Sequence, residues 1–440
     1  MIAPEHNAPG QHGRYPISRQ ALAFLMAEFA INSGRGFLLV AFTLQLYRSS
    51  GDIWHNLIYV TCDALFAFIV PLLAGSWVDR NGPEKLIVPA TMGVAIVVTA
   101  LALSQPQLHA DLLLLASMLI GMLNAAVRIG VFVLVPALVQ ASGLTNMNGR
   151  HQVAFQSGHL LGVLAAGSLM DIVGLGPCLL AVAVSTTLAT WFYARACIGL
   201  VVVLTVRTYR GNLFSGFVRM LRPVVKSPIM VWIIVLGAAD LIVVALFNLS
   251  LPLLVERYLA SSPLAISVAG VLFASGSITL GWVVTRFNLE IYHLHRLLLL
   301  MPLVAIAIAL QLIVFRTYFY FGLTYVLGFA TALCTVYFTT TVQALVAPTL
   351  RGRFAAIRRM SSATLVGCCS YAFAAAYSKF GLSGAALAAC VICIALALCS
   401  LAWVLWRYQA AHQLHADLTP EFAKICDAPT HLPNSLESSR

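Results

Sequence analysis

The chain is short of charge. Asp, Glu, Lys and Arg make up 9% of its 440 residues, against about 25% in a soluble domain. Hydrophobic residues make up 60%, and a soluble protein of that composition lacks the polar residues to cover its surface. The apolar residues fall in long runs broken by short polar turns. The chain is therefore read as polytopic, and as all-α, because an open sheet leaves backbone groups that lipid cannot satisfy. No phosphate loop of the form G-x-x-x-x-G-K-[ST] is present, which argues against an ATP-driven pump. The histidines show no metal-ligand spacing; His293 and His295 fall together in a loop and read as solvated. No metal, no cofactor and no enzymatic activity are expected.

Cysteine is not scarce, but nine of the ten lie in apolar runs, among them Cys62, Cys334, Cys368 and Cys369. They read as small packing residues rather than a disulfide framework. The Cys390–Cys393 pair has CxxC spacing inside an apolar run and reads the same way.

The net charge of +11 is distributed as in a membrane protein, and nucleic acid is not an expected partner. Twenty of the 26 Lys and Arg residues fall on one side of the spans assigned below. Arg48, Arg257, Arg316 and Lys379 fall on the other, and Arg35 and Arg128 lie within spans. The positive-inside rule then places both termini in the cytoplasm.

A polar lead, 1–19, precedes spans at 20–46, 56–78, 84–104, 112–139 and 151–173. Each is near the roughly 20 residues that cross a bilayer. The sixth span ends either at Arg195 or at Val206. Residues 207–228 carry Arg207, Arg210, Arg219, Arg222 and Lys226 and read as a linker. They form either a solvated segment or an amphipathic helix presenting Phe214, Phe217, Met220 and Leu221. Six further spans follow at 229–254, 263–285, 296–315, 318–346, 357–378 and 384–406, then a polar tail, 407–440. The expected domains are thus a six-helix bundle over 20–206 and a second over 229–406, twelve transmembrane helices in all. The halves echo each other: Gly75-Ser76-Trp77-Val78-Asp79-Arg80 recurs 206 positions on as Gly281-Trp282-Val283-Val284-Thr285-Arg286, and Gly121 corresponds to Gly328 at an offset of 207. Such repeats place a substrate site at the midplane between halves.

Polar residues in lipid are costly and turn toward a bundle interior or a watery cavity. Span 1 carries Glu28, Asn32 and Arg35 at helical spacing, and span 4 carries Ser117, Asn124 and Arg128. Span 7 carries Asp240 and Asn248, and span 10 carries Thr331, Thr335, Thr339 and, slightly rotated, Gln343. Span 5 adds Gln152, Gln156 and His159; span 2 adds Tyr59 and Asp63. His159 reads either as a hydrogen-bonded core histidine or as a group titrating near neutrality.

The turn Gly75-Ser76-Trp77-Val78-Asp79-Arg80-Asn81-Gly82-Pro83-Glu84-Lys85 resembles the loop between spans 2 and 3 of the major facilitator superfamily, G-x-L-a-D-R-x-G-R-K. Gly75, Asp79, Arg80 and Gly82 fit that pattern; Pro83 and Glu84 stand where two basic residues are usual. Asn148-Gly149-Arg150 and Arg351-Gly352-Arg353 resemble inner loops of the family's drug and siderophore exporter branch. The resemblance implies two pseudo-symmetric six-helix bundles, a monomer in a bacterial inner membrane, and a gating role for the 75–82 loop. It also implies that spans 1, 4, 7 and 10 line the central cavity, the same four spans that carry the polar stripes. A glycine-rich span 5 echoes in Gly158, Gly162 and Gly167, but without the family's Gly-Pro pair, and reads as close helix packing.

Substrate contact is thus expected from Asn32, Arg35, Asn124, Arg128, Asn248, Thr331, Thr335 and Thr339. Proton coupling is expected from the embedded acids: Asp240, with no arginine in its own half's membrane core, then Glu28, then Asp63. The competing reading makes these acids structural ion pairs, Glu28 with Arg128 for example. Arg35 and Arg128 suit an anionic substrate, since guanidinium forks match carboxylate and phosphate. The expected activity is proton-driven export of a small amphiphilic or anionic molecule, such as a carboxylate siderophore or a drug. Proton-symport uptake, lysophospholipid flipping and a non-transporting scaffold are the alternatives.

Overall fold

The computed structural model describes residues 17–50, 53–104, 109–199, 228–258, 263–289, 294, 297–346 and 348–410. The lead up to residue 16, the linker up to residue 227 and the tail from residue 411 lie outside the described residues. The first half comprises α1 (Arg19–Ser50), α2 (Ile53–Asn81), α3 (Glu84–Leu103), α4 (Ala110–Leu138), α5 (Leu144–Val173) and α6 (Leu175–Cys197). The second comprises α7 (Pro228–Leu236), α8 (Ala239–Tyr258), α9 (Pro263–Arg286), α10 (Leu300–Leu310), α11 (Thr317–Leu345) and α12 (Arg351–Ala410). Among the described residues there is no strand.

Nine stretches among the described residues are long and apolar enough to cross a membrane. One of them, Arg351–Trp403, has 53 residues. Straight, it would run about 80 Å at roughly 1.5 Å per residue, far beyond a hydrocarbon core of about 30 Å. Gly381 resolves this: its backbone, at φ 64 and ψ −152, breaks the helical path and folds α12 into two limbs. A side chain would strain that conformation. The seventh span is interrupted too. At Gly237-Ala238 the chain closes a tighter turn, Ala238 N–H to Val235 C=O at 3.1 Å, before α8 begins. The sixth helix ends at Cys197, two residues past Arg195, the earlier of the two endings read from the sequence; residues 200–206 lie outside the described residues.

Large apolar side chains are exposed around the outside, with Ile172, Leu103 and Val184 at 77%, 74% and 60%. In water this would be an aggregating surface; here it is the face offered to lipid. Within the first half, α1 packs on α5 and α6, and α3 and α4 complete the bundle. In the second, α9 packs on α11, and α10 on α12. The departures from the loop pattern have a local cause. Pro83 caps α3, where its missing N–H costs nothing. Glu84 occupies the first turn, where a negative charge meets the helix dipole favourably.

Candidate functional site: a polar cavity closed at one end

A cavity of about 380 Å³ lies between the halves. Seven of the eight residues expected to contact substrate line it: Asn32, Arg35, Asn124, Arg128, Thr331, Thr335 and Thr339. Asn248 does not; it is exposed, two turns along α8 from Asp240, and is not part of the lining. The two are eight residues apart on one helix, and at 3.6 residues per turn that leaves Asn248 about 80° around α8 from Asp240.

Glu28 and Asp240 both line the cavity, one from each half. Glu28 is 3% exposed. Its Oε1 accepts from the Tyr193 hydroxyl at 2.6 Å and its Oε2 from Asn32 Nδ2 at 3.0 Å. His151 Nε2 lies 3.0 Å from the same Oε2. Arg128, the partner envisaged for it, acts on Glu28 electrostatically, while the direct contacts are with a histidine, a tyrosine and Asn32. Arg128 instead sets its guanidinium over the Phe155 ring, 4.8 Å from the centroid.

Asp240 sits in the first turn of α8 and accepts from the Thr335 hydroxyl at 2.5 Å. One turn along α11, Thr339 accepts from Arg358 Nη1 at 3.1 Å, and Arg358 Nη2 donates to the Gly237 carbonyl at 3.3 Å. Arg358 thus satisfies a backbone oxygen at the break in the seventh span and acts electrostatically on Asp240. This corrects the expectation that Asp240 has no arginine in its own half's membrane core. Asp63 lies on α2, with its side chain outside those described.

Tyr193, His151, Arg358 and Arg359 line the cavity without having been expected there. The two arginines follow Arg351 and Arg353 closely and read in sequence as part of a surface run. Seven residues is two helical turns, enough to carry them from the α12 terminus into the cavity. His159 stacks on Phe155 with centroids 6.4 Å apart, and its Nδ1 is buried without a hydrogen-bond partner.

Among the described residues, the hydrogen bonds between the halves gather at the end of the bundle that carries Asp79. There the buried Asp79 carboxylate accepts from the backbone N–H of Gly352 at 2.7 Å and of Arg353 at 3.1 Å. These are first-turn donors of α12 that have no partner within their own helix. Arg353 Nε adds a contact at 3.6 Å. Burial pushes the Asp79 carboxyl up to about 7, opposed by the Gly352 and Arg353 contacts. Arg80 is partly exposed beside it, and Gly82 (φ 88) turns the chain into α3.

On the other side of the same end, Asn146 Nδ2 donates to Asn288 Oδ1 at 2.8 Å, and Asn148 Nδ2 to Gln343 Oε1 at 2.8 Å. Two glycine contacts set the spacing. A Cβ on Gly75 would come within 2.6 Å of the Gly352 carbonyl, and one on Gly281 within 2.6 Å of the Gly149 carbonyl. Elsewhere, Gly158 and Gly162 let α5 lie against the α1 backbone at Phe29 and Ser33.

Two helical halves with lipid-facing flanks, a polar cavity between them and a closure at one end define a secondary membrane carrier rather than an enzyme. The chain belongs to the Major Facilitator Superfamily, whose sequence profile matches residues 24–368. No curated protein sequence matches it. Among solved structures, the fold is similar to that of the human organic anion transporter MFSD10 (TETRAN), with a TM-score of 0.64 at 16% identity over 88% of this chain and 100% of that one. It is also similar to a bacterial homologue of the iron transporter ferroportin in an outward-facing state, with a TM-score of 0.67 at 15% identity over 88% and 99%. The Escherichia coli fucose:proton symporter FucP gives 0.57 at 15% identity over 88% and 97%.

Proposed function

We propose that this chain is a proton-driven exporter of a small anionic or amphiphilic molecule, working by alternating access between twelve spans in two six-helix bundles. The observation that carries this reading is the placing of one buried carboxylate from each half, Glu28 and Asp240, in a single cavity closed at one end. Rocking the halves changes the burial and partners of each acid, and therefore its affinity for a proton. That is what coupling requires.

The positive-inside rule makes the Asp79 end cytoplasmic, since it also carries Arg80, Arg150, Arg351 and Arg353. On that orientation we read the chain as an outward-facing carrier of a bacterial inner membrane, with both termini inside and acting as a monomer. The cavity lies at the small end of the roughly 300–1,000 Å³ range of ligand sites. Its size and its arginines favour a compact anion, such as a small carboxylate siderophore or an acidic drug, over a lysophospholipid.

The test is untargeted mass spectrometry of medium and cell extract from wild-type, deletion and Asp240→Asn strains, grown with and without iron. Export predicts a compound retained in cells and missing from the medium in both mutants, and siderophore export predicts this only in iron-poor culture. An extracellular pool that rises in the mutants would replace export by uptake. A pool that stays unchanged in all strains would remove the transport reading of Asp240.

A further inference from the structure

We propose that Arg358 is a positioning residue for proton coupling: it holds the seventh span broken at Gly237 while Asp240 is ionised, and lets the missing helical hydrogen bond form when Asp240 takes up a proton. The proposal rests on the proton-coupled reading above and deepens it by naming how the proton is turned into motion.

The break is a set of backbone bonds that are not made. Gly237 N–H reaches the Ile233 carbonyl at 2.9 Å, Ala238 N–H turns tightly to Val235 at 3.1 Å, and the helical ladder resumes with Ile242 N–H on the Ala238 carbonyl at 3.0 Å. Among the described residues, no backbone bond joins Leu241 N–H to the Gly237 carbonyl. Each end of that missing bond meets a side chain. The Gly237 carbonyl accepts from Arg358 Nη2 at 3.3 Å, and Arg358 Nη1 donates to the Thr339 hydroxyl at 3.1 Å. The Leu241 N–H faces the Asp240 carboxylate. Gly237 allows the approach of Arg358: a Cβ there would stand 3.4 Å from its Nε.

Asp240 and Arg358 also act on each other by charge. Of the elements packed on α8, α7 and α10 carry no charged side chain, α9 carries Arg286 in its last turn, and α11 brings Cys334 near the carboxylate. Next to Arg358, α12 adds Arg359; Glu28, His151, Arg35 and Arg128 line the cavity from the first half. The Asp63 side chain on α2 lies outside the described residues and serves as a control below. A buried cation whose partner is neutralised is left uncompensated, which is strongly unfavourable. Arg358 and Asp240 both line the cavity, so a proton passing from cavity water to Asp240 turns the Arg358 guanidinium toward that water. Asp240 Oδ2 is taken by Thr335, and Oδ1, buried without a hydrogen-bond partner, is the oxygen that receives the proton. The Gly237 carbonyl then loses its donor, and an unpaired buried carbonyl is costly. The Leu241 N–H no longer faces a charge and closes on that carbonyl, four residues back as in any α-helix. The proton stays on the carboxyl, and the rest of the change is an exchange of hydrogen bonds.

The experiment is hydrogen–deuterium exchange on the purified full-length protein in detergent, read by mass spectrometry over residues 233–243. At pD 7, Asp240→Asn, which fixes the neutral state, should slow exchange of this segment roughly tenfold. Arg358→Met, which removes the donor to Gly237, should slow it likewise, and Arg358→Lys should restore part of the wild-type rate. Residues that merely brace the helix give the opposite sign, since their loss loosens the segment. In the wild type, acidifying from pD 8 to pD 5 should slow exchange beyond the intrinsic chemical effect, and that excess should vanish in Asp240→Asn. The wild-type titration depends on no variant folding.

Faster or unchanged exchange in Asp240→Asn, wild-type exchange in Arg358→Met, equal slowing in Asp63→Asn, or no pH-linked excess in the wild type would each overturn the proposal. Exchange is read without transport, so the two readings fail separately. Intact export alongside exchange that ignores Asp240 and Arg358 sinks this inference alone. Protection that follows Asp240, in a protein whose deletion leaves every extracellular pool unchanged, sinks the exporter reading alone.

Discussion

Glu28 is buried and carries its charge on borrowed hydrogen bonds. The Tyr193 hydroxyl, 0% exposed, supplies the shortest of them at 2.6 Å. A hydrogen bond to a charged group contributes about 1.5–3 kcal/mol. Tyr193→Phe leaves the ring and its packing against Phe24 in place while removing that donor. It should lower stability by about 2 kcal/mol and lower the unfolding temperature measurably in detergent. An unchanged transition would mean that Asn32 and His151 satisfy the carboxylate unaided.

This residue also shows where sequence reading stops. Asn32, one turn along the same helix, was legible as Glu28's neighbour from spacing alone. Tyr193 and His151 approach from α6 and α5, 165 and 123 positions away, and no periodicity announces them. The lining arginines divide in the same way. Arg35 and Arg128 stand alone in apolar runs and are conspicuous there. Arg358 and Arg359 are hidden by the charged residues that precede them.

At the scale of elements, the closed end depends on pairs of helices lying backbone to backbone. The α2–α12 contact at Gly75 leaves no room for a side chain: a Cβ there meets the Gly352 carbonyl at 2.6 Å and Ala356 Cβ at 2.8 Å. Overpacking of this kind costs about 1–3 kcal/mol, so Gly75→Val should shift the population toward release of this end roughly tenfold. Val346, 3% exposed at the closed end, reports it. In a Val346→Cys background, adding Gly75→Val should speed reaction with a water-soluble maleimide, and an unchanged rate would show that α12 yields without opening. The glycines were legible as a repeated motif. Their mates were not, because the sequence aligns Gly75 with Gly281 as copies, whereas in the structure each instead meets a glycine of the opposite half.

For the molecule as a whole, the closed form should depend on pH through Asp79. Its carboxyl rises to about 7 when buried, from 3.8 in water, with Arg353 as the charged group facing it. The closed form therefore holds the proton more tightly than any form in which Asp79 meets water. The carboxyl's contribution to closure is fullest below pH 3.8 and is lost as pH rises through about 7. Acidifying from pH 8 to pH 5 should increase the closed population, measured by the distance between spin labels on the ends of α2 and α12. Asp79→Asn keeps an acceptor for the Gly352 N–H and should flatten the dependence; a slope that survives it would assign the effect to another group. The helical class and the pairing of halves were legible from composition and repeats, which record what lipid demands of a backbone. Which end is shut was not, since a single sequence serves every state of a moving carrier.

The closure is built twice, Gly75 on Gly352 and Gly149 on Gly281, from two copies of one arrangement on opposite sides of the same end. A thermal fluctuation that loosens one side leaves the other seated. Wide separation of the halves at this end therefore requires both contacts to release in the same event.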